Sequence, residues 1–571
     1  MTSDSSEFLQ KLKILLQDKK LEDCLLIIKE KNNEEKVKEH VWDLLPEVLR
    51  WCRDSEDNIH HCHEILMHFA KVGNSKEILI GFLENSDDII DNTYFKTLLM
   101  PLQTVLCNLP NKRGKSLEGT LRILHKYVDS LPPPEEHNLE GEERKLMDLD
   151  ENVCRINDVV RAYLPFFDPF VKEVSLENCR NCEMYYFDRI LHQRSILCKY
   201  LLELLAYPLV YLDLSYDNKK GKSTSRVCSE RLINCLTQLQ GNFFLLYNLL
   251  DDQSEDIIKR NEYSPDLSIG NLAYLVFVEN LGIDCIPQVF THSYNFERHL
   301  IYIVALLSRQ SNCVVYKGIH LAERLISILE DRTFNHDYLD IPEFSTFLNS
   351  LFQVVLYCPI KELHYQARNL FLQYLNKLDS KAVYNLLYSQ FCSQRQAKVR
   401  GLIINTYKIY MCRSLELNEN EFIGKNLIKF LNVATKLPNK VETDLLEYSD
   451  IILENINVLR YLTLRKDITK VSQIWSFMKN LEENFLKPLH TALDLSRAHY
   501  KLQLSKVKEE KNVPKHDPPI TVTVNKETFE NIPASDQIKF LNLSLLTFDL
   551  IESNLAALEQ DIQANKDQDF D

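Results

Sequence analysis

Glycine is scarce in this sequence, with only 12 glycines among 571 residues. This share is roughly 2%, far below the usual share of about 7%. Glycine supplies the positive φ angles of tight turns and lets a backbone approach a phosphate group closely. The scarcity therefore argues against a hairpin-rich β-sandwich, a Rossmann enzyme and a P-loop nucleotide hydrolase.

Long hydrophobic runs and an excess of positive charge are missing as well. The longest apolar runs, such as Leu204–Leu212 and Leu272–Val278, are much shorter than the ~18 residues of a membrane-spanning helix. The first residues, Met1–Glu7, are polar and acidic, and we expect no secretory signal there. The net charge of −15 disfavours nucleic acid and anionic membranes. We therefore expect neither of them as a partner.

The 15 cysteines are an odd number and lie scattered through the sequence. Their spacing is not that of a disulfide framework, and free cysteines are commonly buried. We expect reduced thiols and hence a cytoplasmic protein, with the nucleus as a second compartment.

Leucine is abundant, at about one residue in six, and apolar residues recur at steps of three and four along most of the chain. Val41–His68 shows this pattern with a break near Asp54–Asn58, and Phe344–Tyr357 is followed by Ile360–Leu375. Helix pairs recur at intervals of about 40 residues, the size of HEAT and armadillo units. The sequence predicts an all-α fold, a HEAT-like or armadillo-like α-solenoid of irregular helix pairs.

The stretch Ser264-Pro265-Asp266 separates two apolar blocks. We place a domain boundary there, with an N-terminal helical-repeat domain at residues 1–265 and a C-terminal HEAT-like domain at residues 266–571.

Three polar segments predict loops with disorder or high mobility, because they combine charge with proline or lysine. They are Leu131–Arg144, Ser215–Arg226 and Lys506–Asn531. We expect the last, residues 506–531, to be a flexible linker, and it contains the one strand-like stretch, Ile520–Val524.

Three short motifs could suggest chemistry, but each is incomplete. His60-His61-Cys62-His63 with His68 lacks the one-turn spacing of a zinc-protease helix. Cys179 and Cys182 form a lone C-x-x-C without a second ligand pair. Gly221-Lys222-Ser223 ends like a phosphate-binding loop, yet Tyr216 stands where that loop needs glycine. We therefore predict no catalytic residue, no metal, no cofactor and no enzymatic activity.

The C-terminal third carries the most informative pattern. Ile474–Leu504 reads as one helix, interrupted only by Pro488, which should kink it or start a new helix. An apolar stripe should face the core; it consists of Leu481, Phe485, Leu489, Leu493, Ser496 and Tyr500.

A second face of this helix is mostly basic and should be exposed to solvent. It consists of Lys487, His490, Asp494, Arg497 and Lys501. Residues 351–500 are net positive, whereas the residues before and after them are net negative. Two interpretations stay open: a solvated face that binds nothing, or a docking surface for an acidic partner.

The last helix should begin at Ser535 or Asp536, either of which could cap it. It should carry its apolar residues on one side and close the open end of the solenoid. Those residues are Ile538, Leu541, Leu545, Phe548 and Leu555.

Several blocks, in the same order, resemble the glomulin family of helical-repeat regulators of cullin–RING ubiquitin ligases. The resemblance spans most of the chain and is most specific from Leu272 onward. The blocks that carry it are Glu442–Leu446, Leu459–Leu462, Glu483–His490, Ala498–Tyr500 and Thr547–Ser553.

The resemblance implies a non-catalytic protein whose C-terminal region binds the RING domain of the RING-box subunit and blocks access of the ubiquitin-conjugating enzyme. It also implies links to FK506-binding immunophilins and to a growth-factor receptor kinase. We expect the matched blocks and the basic face to supply the contacts, with these residues as candidates: Arg460, Tyr461, Lys487, His490, Arg497, His499, Tyr500 and Lys501. The alternative is an acidic α-solenoid that acts as a scaffold or transport adaptor, for example one associated with immunophilins or receptors.

Overall fold

The structure is a computed structural model, and it describes most of the chain. The described residues are 2–18, 20–54, 58–85, 89, 91–109, 113–179, 184–216, 221–251, 265–417, 419–465, 474–510, 522–524, 527–529 and 534–566.

The described part of the chain is almost entirely helical, as predicted. The α-helices are α1 (Thr2–Gln17), α2 (Leu21–Lys29), α3 (Glu34–Asp54), α4 (Ile59–Val72), α5 (Ser75–Asn85), α6 (Asn92–Cys107), α7 (Arg113–Asp129), α8 (Glu151–Glu173), α9 (Met184–Ala206), α10 (Thr224–Leu239), α11 (Phe244–Asp251), α12 (Pro265–Ala273), α13 (His292–Leu307), α14 (Asn312–Ser327), α15 (Pro342–Tyr357), α16 (Lys361–Asn376), α17 (Ser380–Ser393), α18 (Ala397–Leu417), α19 (Lys425–Ala434), α20 (Ser449–Leu464), α21 (Ile474–Leu481), α22 (Lys487–Glu510) and α23 (Ala534–Lys566).

Shorter segments complete the secondary structure. Two π-helical turns span Tyr274–Val278 and Glu482–Leu486. Two three-residue strands, β1 (Val522–Val524) and β2 (Glu527–Phe529), pair antiparallel with Thr523 opposite Thr528. The 3-10 turns are Lys31–Asn33, Gly141–Leu149, Leu209–Tyr211, Ile283–Cys285, His336–Asp340 and Lys440–Glu442.

The helices form because one face of each is apolar at the helical period. In α3 the buried side chains include Val37, Val41, Leu44 and Val48, at steps of four, three and four. The predicted break after this pattern is confirmed, since α3 ends at Asp54 and the next helix begins at Ile59. Burying each such side chain stabilises the fold by about 1.5–3 kcal/mol.

The chain divides into two compact units, which are made of residues 1–329 with 345–371 and residues 330–344 with 372–571. In unit 1, α3 packs on α4, α4 on α6, α6 on α8 and α8 on α10. In unit 2, α17 packs on α18, α18 on α20 and α20 on α23. Successive packing of near neighbours is the arrangement of an α-solenoid. The domain boundary at 265/266 stays a prediction.

The proline-rich segment Leu131–Arg144 is a loop as far as residue 140, as predicted, and its mobility stays a prediction. Residues 132–140, here called the acidic strap, have no regular secondary structure, and a 3-10 turn follows at Gly141–Leu149. Glu136 Oε2 accepts a hydrogen bond from Asn312 N (3.1 Å), and Glu140 Oε1 accepts one from Lys361 N (2.8 Å). These carboxylates cap the first turns of α14 and α16, where free N–H groups and the helix dipole favour negative charge.

The other two predicted loops are only partly described. Ser215–Arg226 ends in helix, because Ser223 caps α10 by accepting a hydrogen bond from Arg226 N. In the predicted linker 506–531, residues 506–510 belong to α22, which corrects the prediction there, and β1 and β2 follow. The remainder of that linker lies outside the described residues.

Candidate partner-binding surface

Three helices of unit 2 position the predicted site residues. α23 packs against both α20 and α22. The contact between them buries Leu489 and Leu493 of α22 together with Phe548 and Leu555 of α23. These side chains fix the register between the helices and therefore the positions of the charged residues beside them.

The π-helical turn at Glu482–Leu486 lies directly before Pro488. Proline has no N–H to donate to the carbonyl four residues earlier, and a wider turn is one way in which a helix absorbs this loss. The prediction of an irregularity at Pro488 is confirmed. The apolar stripe also faces the core as predicted, and its members Phe485 and Leu489 are completely buried or nearly so.

The basic face of α22 is only partly exposed to solvent: Lys487, Asp494 and Lys501 are exposed as predicted, whereas Arg497 and His490 contact the acidic face of α23. Arg497 Nη2 donates to Asp549 Oδ1 and to Glu552 Oε2, both at 2.7 Å, and its side chain is only 19% exposed. The hydrogen bond from Arg497 lowers the pKa of Glu552, and the same bond raises the pKa of Arg497. Arg497 therefore joins two helices of its own chain.

Two further pairs continue this contact along α23. His490 Nε2 lies 2.7 Å from Glu559 Oε1, with both side chains nearly half exposed. Arg460 Nε on α20 donates to Asp561 Oδ2 at 2.8 Å. Two of the predicted contact residues, His490 and Arg460, thus already hold carboxylates of α23.

The remaining predicted residues are more accessible. Lys487, His499 and Lys501 are exposed, and Lys487 Nζ lies 3.2 Å from Glu482 Oε1 at the π-helical turn. Tyr500 is half-buried edge-on against Phe548, with 5.2 Å between ring centres. Burial raises the pKa of the Tyr500 hydroxyl.

Tyr461 lies among cations on the same side of unit 2. Its hydroxyl accepts a hydrogen bond from Arg465 Nη1 at 3.3 Å, and Lys408 Nζ lies 5.6 Å from its ring centre. Tyrosine and arginine are both enriched at protein interfaces.

The sequence reasoning missed an exposed apolar row on α23. Leu543, Leu546 and Leu550 are each more than half exposed, on the side of the helix opposite the buried Phe548 and Leu555. The sequence did indicate this row, because residues 540–551 contain more apolar residues than one buried stripe requires. Leu541, Phe548 and Leu555 are buried as predicted, whereas Ile538 and Leu545 are half-buried.

The start of α23 also differs from the prediction. The helix begins at Ala534, so Ser535 and Asp536 lie in its first turn instead of capping it. Asp536 accepts a hydrogen bond from Lys539 Nζ at 2.9 Å within that turn. Negative charge in a first turn is favoured by the helix dipole as well.

The three incomplete motifs found in the sequence make ordinary structural contacts where the structure describes them. Lys222 pairs with Glu230 (2.6 Å), and His63 Nδ1 lies 3.1 Å from the carbonyl oxygen of Thr97. Within the described ranges, the histidines of α4 do not come together as a set of metal ligands. Cys179 is half-buried and Cys182 lies outside the described residues.

Two general expectations concern cysteines and membranes. Every cysteine in the part of the chain that the structure describes is a free thiol. Among the described helices, none combines the length and the apolar character needed to cross a membrane.

Comparison with known proteins decides the family. The model of an uncharacterised protein family, YAP/Alf4/glomulin, matches residues 2–271 and 289–543. The chain belongs to the YAP/Alf4/glomulin family. Human glomulin is 31% identical over 562 residues, which cover 94% of this chain and 90% of that protein. Mouse glomulin is 29% identical, covering 96% of this chain and 92% of the relative.

The resemblance to the glomulin family inferred from the sequence is thereby confirmed. Among solved structures, the karyopherin Kap121p bound to the extreme C-terminus of the protein phosphatase Cdc14p is 12% identical, with a TM-score of 0.23. That match covers 92% of this chain and 55% of the karyopherin.

Proposed function

We propose that this chain is a non-catalytic regulator of cullin–RING ubiquitin ligases. It binds the RING domain of the RING-box subunit and blocks access of the ubiquitin-conjugating enzyme, and thereby inhibits ubiquitination. The observation that carries the proposal is the match to the glomulin family along almost the whole chain, which includes the C-terminal blocks.

The outer surface of α22 and α23 is the part of unit 2 that we assign to this contact. Leu543, Leu546 and Leu550 form an apolar row, and exposed apolar patches with a charged rim are typical of protein interfaces. The exposed Lys487 and Lys501 supply positive charge on the neighbouring helix. A stable complex would need roughly 800 Å² of surface from each partner.

The ion pairs between α22 and α23 have a supporting role in this proposal. Arg497, His490 and Arg460 hold α23 in register through carboxylates. A rigid pair of helices loses little conformational freedom on binding, which favours affinity. Among the predicted residues, we therefore assign binding to the accessible Lys487, His499 and Lys501, and the positioning of α23 to Arg460, His490 and Arg497.

A competition experiment tests this proposal. The labelled ubiquitin-conjugating enzyme is bound to the RING-box subunit, and the full chain is added at rising concentration while fluorescence anisotropy is recorded. We expect complete displacement that follows a one-site competition curve. Binding of both proteins to the same RING-box subunit at saturation would refute steric blocking.

Binding by the Leu546→Glu variant distinguishes this function from the alternative, an acidic scaffold or transport adaptor associated with immunophilins or receptors. That function predicts partners on other surfaces, so Leu546→Glu should leave their capture unchanged. The regulator function predicts instead that this substitution releases the RING-box subunit while an FK506-binding immunophilin, if it binds elsewhere, is retained.

A further inference from the structure

Helices α17, α18 and α19 of unit 2, with the turn between the first two, carry cations that form no ion pair with any described residue. They are Arg395, Lys398, Arg400, Lys425 and Lys429. Other cations of the same unit are paired, as Lys377 is with Asp331 and Arg332 with Glu419. In a chain with a net charge of −15, a group of unpaired cations creates a local positive field, which attracts a negatively charged partner.

An aromatic ring lies among these cations. Lys429 Nζ on α19 is 4.4 Å from the ring centre of Tyr388 on α17, and Lys425 lies one helical turn before Lys429 on the same face. Tyr384, one turn before Tyr388, donates from its hydroxyl to the carbonyl oxygen of Asn426 at 3.3 Å, which holds the two helices together. The two lysines and the Tyr388 ring thus form one surface that offers both positive charge and an aromatic contact.

Arg400 on α18 lacks a partner in a place where water cannot replace one. Its Nε atom is buried and has no hydrogen-bond partner among the described residues. The guanidinium carbon lies 4.2 Å from the ring centre of Phe391, which packs on Phe430 of α19. Burial lowers the pKa of this guanidinium, and the titratable groups that influence it, Tyr448 and Cys392, are not carboxylates. A buried cationic donor without an acceptor costs free energy until an anion supplies one.

The start of α19 adds a concave part to this surface. An open depression of about 340 Å³ is lined by Gly424, Lys425 and Asn426, among others. No side chain caps the helix there, and the free N–H groups of a first turn favour negative charge. A carboxylate in this depression would meet both these N–H groups and the Lys425 ammonium.

We propose that Tyr388, Arg400, Lys425 and Lys429 form a docking surface for a short acidic segment of a partner protein. Lys425 and Lys429 are about 6 Å apart along the helix axis. Every second side chain of an extended peptide recurs at about 6.6–6.8 Å, so acidic residues at alternate positions match the two lysines. A neighbouring apolar residue can contact the Tyr388 ring, and a further carboxylate can accept from Arg400. A nucleic acid is disfavoured, because the chain as a whole repels a long polyanion.

This surface differs from the one that we assign to the RING domain, which lies on α22 and α23. It goes beyond the proposed function and does not depend on it. Substitutions on α17–α19 should therefore leave displacement of the ubiquitin-conjugating enzyme from the RING-box subunit unchanged, so the two proposals can fail separately.

The test uses the full chain and a fluorescein-labelled peptide with glutamate at every second position and one phenylalanine. Fluorescence anisotropy measures binding at low salt, and a second peptide with glutamine in place of each glutamate shows how much binding needs the charge. Lys425→Gln with Lys429→Gln removes two cations, and Arg400→Met removes the guanidinium but keeps an unbranched side chain. Lys11→Gln with Lys38→Gln, at exposed positions of unit 1, is the matched control.

We expect one glutamate peptide per chain and no binding of the glutamine peptide. Affinity should fall about tenfold or more in Arg400→Met and in the double variant of α19, and stay unchanged in the control. Arg400→Met should melt at the temperature of the natural chain or above it, because it removes a buried unpaired charge.

Equal affinity in all variants, or equal binding of the two peptides, would overturn the proposal. A lower melting temperature of Arg400→Met would also count against it, because Arg400 would then serve the fold. Displacement of the peptide by an equal concentration of single-stranded DNA would contradict the choice of a protein partner.

Discussion

Arg497 on α22 and Glu552 on α23 are joined by a 2.7 Å hydrogen bond between Nη2 and Oε2. Asp549 shares the same guanidinium nitrogen. The residue that the sequence marked as the centre of an exposed basic face therefore binds another helix of its own unit. This changes what its substitution should do.

Arg497→Ala should lower the free energy of unfolding by about 1 kcal/mol, because two carboxylates lose their shared donor and both are already about half exposed. Lys501→Ala, at an exposed position four residues later, should change it by less than about 0.5 kcal/mol. Chemical denaturation followed by circular dichroism measures both. Equal effects of the two substitutions would show that the Arg497 pairs contribute nothing.

Charge reversal at the accessible cations should weaken partner binding without unfolding the protein. We expect Lys487→Glu with Lys501→Glu to slow association with the RING-box subunit several-fold at low salt, and to have less effect at high salt. Stopped-flow association rates measure this. Lys11→Glu with Lys38→Glu makes the same change in charge at exposed positions of unit 1. A similar slowing of association in that control would mean that net charge alone causes the effect.

The acidic strap should protect the helices that it caps. Glu140→Ala removes the acceptor of Lys361 N, and loss of such a cap costs about 0.5–1 kcal/mol. Hydrogen exchange should accordingly speed up in the first turn of α16. Glu143→Ala, at an exposed position in the following 3-10 turn, is the control and should leave that turn unchanged. Unaltered exchange in Glu140→Ala would contradict the capping role.

His299 should make unit 1 less stable in mild acid. It is fully buried between the Tyr247 hydroxyl (2.7 Å) and the Asn295 carbonyl oxygen (2.6 Å), and burial lowers its pKa to about 4. Above pH ~6.5 the ring is neutral in both the folded and the unfolded chain, so it has no effect on stability. Between pH ~6.5 and 4 the unfolded chain takes up a proton that the folded chain refuses, which costs up to about 3 kcal/mol.

Nuclear magnetic resonance checks this directly through the histidine ring signals. The signal of His299 should stay constant between about pH 5 and pH 8, the range in which an ordinary histidine changes charge, because burial lowers its pKa to about 4. A His299 signal that titrates within this range would mean that the ring is accessible to water and would contradict the prediction.

The sequence predicted those features that depend on local pattern. The apolar period that begins at Val41 predicted α3 from that residue to its end near Asp54, and the missing N–H of Pro488 predicted an irregular turn. The spacing of residues at steps of three and four predicted which side chains share the basic face of α22. Local periodicity is sufficient for these features because neighbours in the helix are neighbours in the sequence.

Other features depend on residues far apart in the chain and could not be predicted in this way. Glu140 and Lys361 are 221 positions apart, so nothing in the strap itself indicates the helix that it caps. Arg497 and Glu552 are an intermediate case. Asp549, Glu552 and Glu559 share one face of α23, and this acidic face could have been matched to the basic face of α22.

Inhibition of ubiquitin transfer is the most direct test of the proposed function. A reconstituted cullin–RING ligase is assayed against rising concentrations of the full chain, of Leu546→Glu and of Leu26→Glu. Leu546 and Leu26 are both 62% exposed, but Leu26 lies on α2 in unit 1. We predict that the natural chain and Leu26→Glu inhibit equally, while Leu546→Glu requires about tenfold more protein. Unimpaired transfer at saturating natural chain would contradict the account, and equal inhibition by all three proteins would remove α23 from the contact.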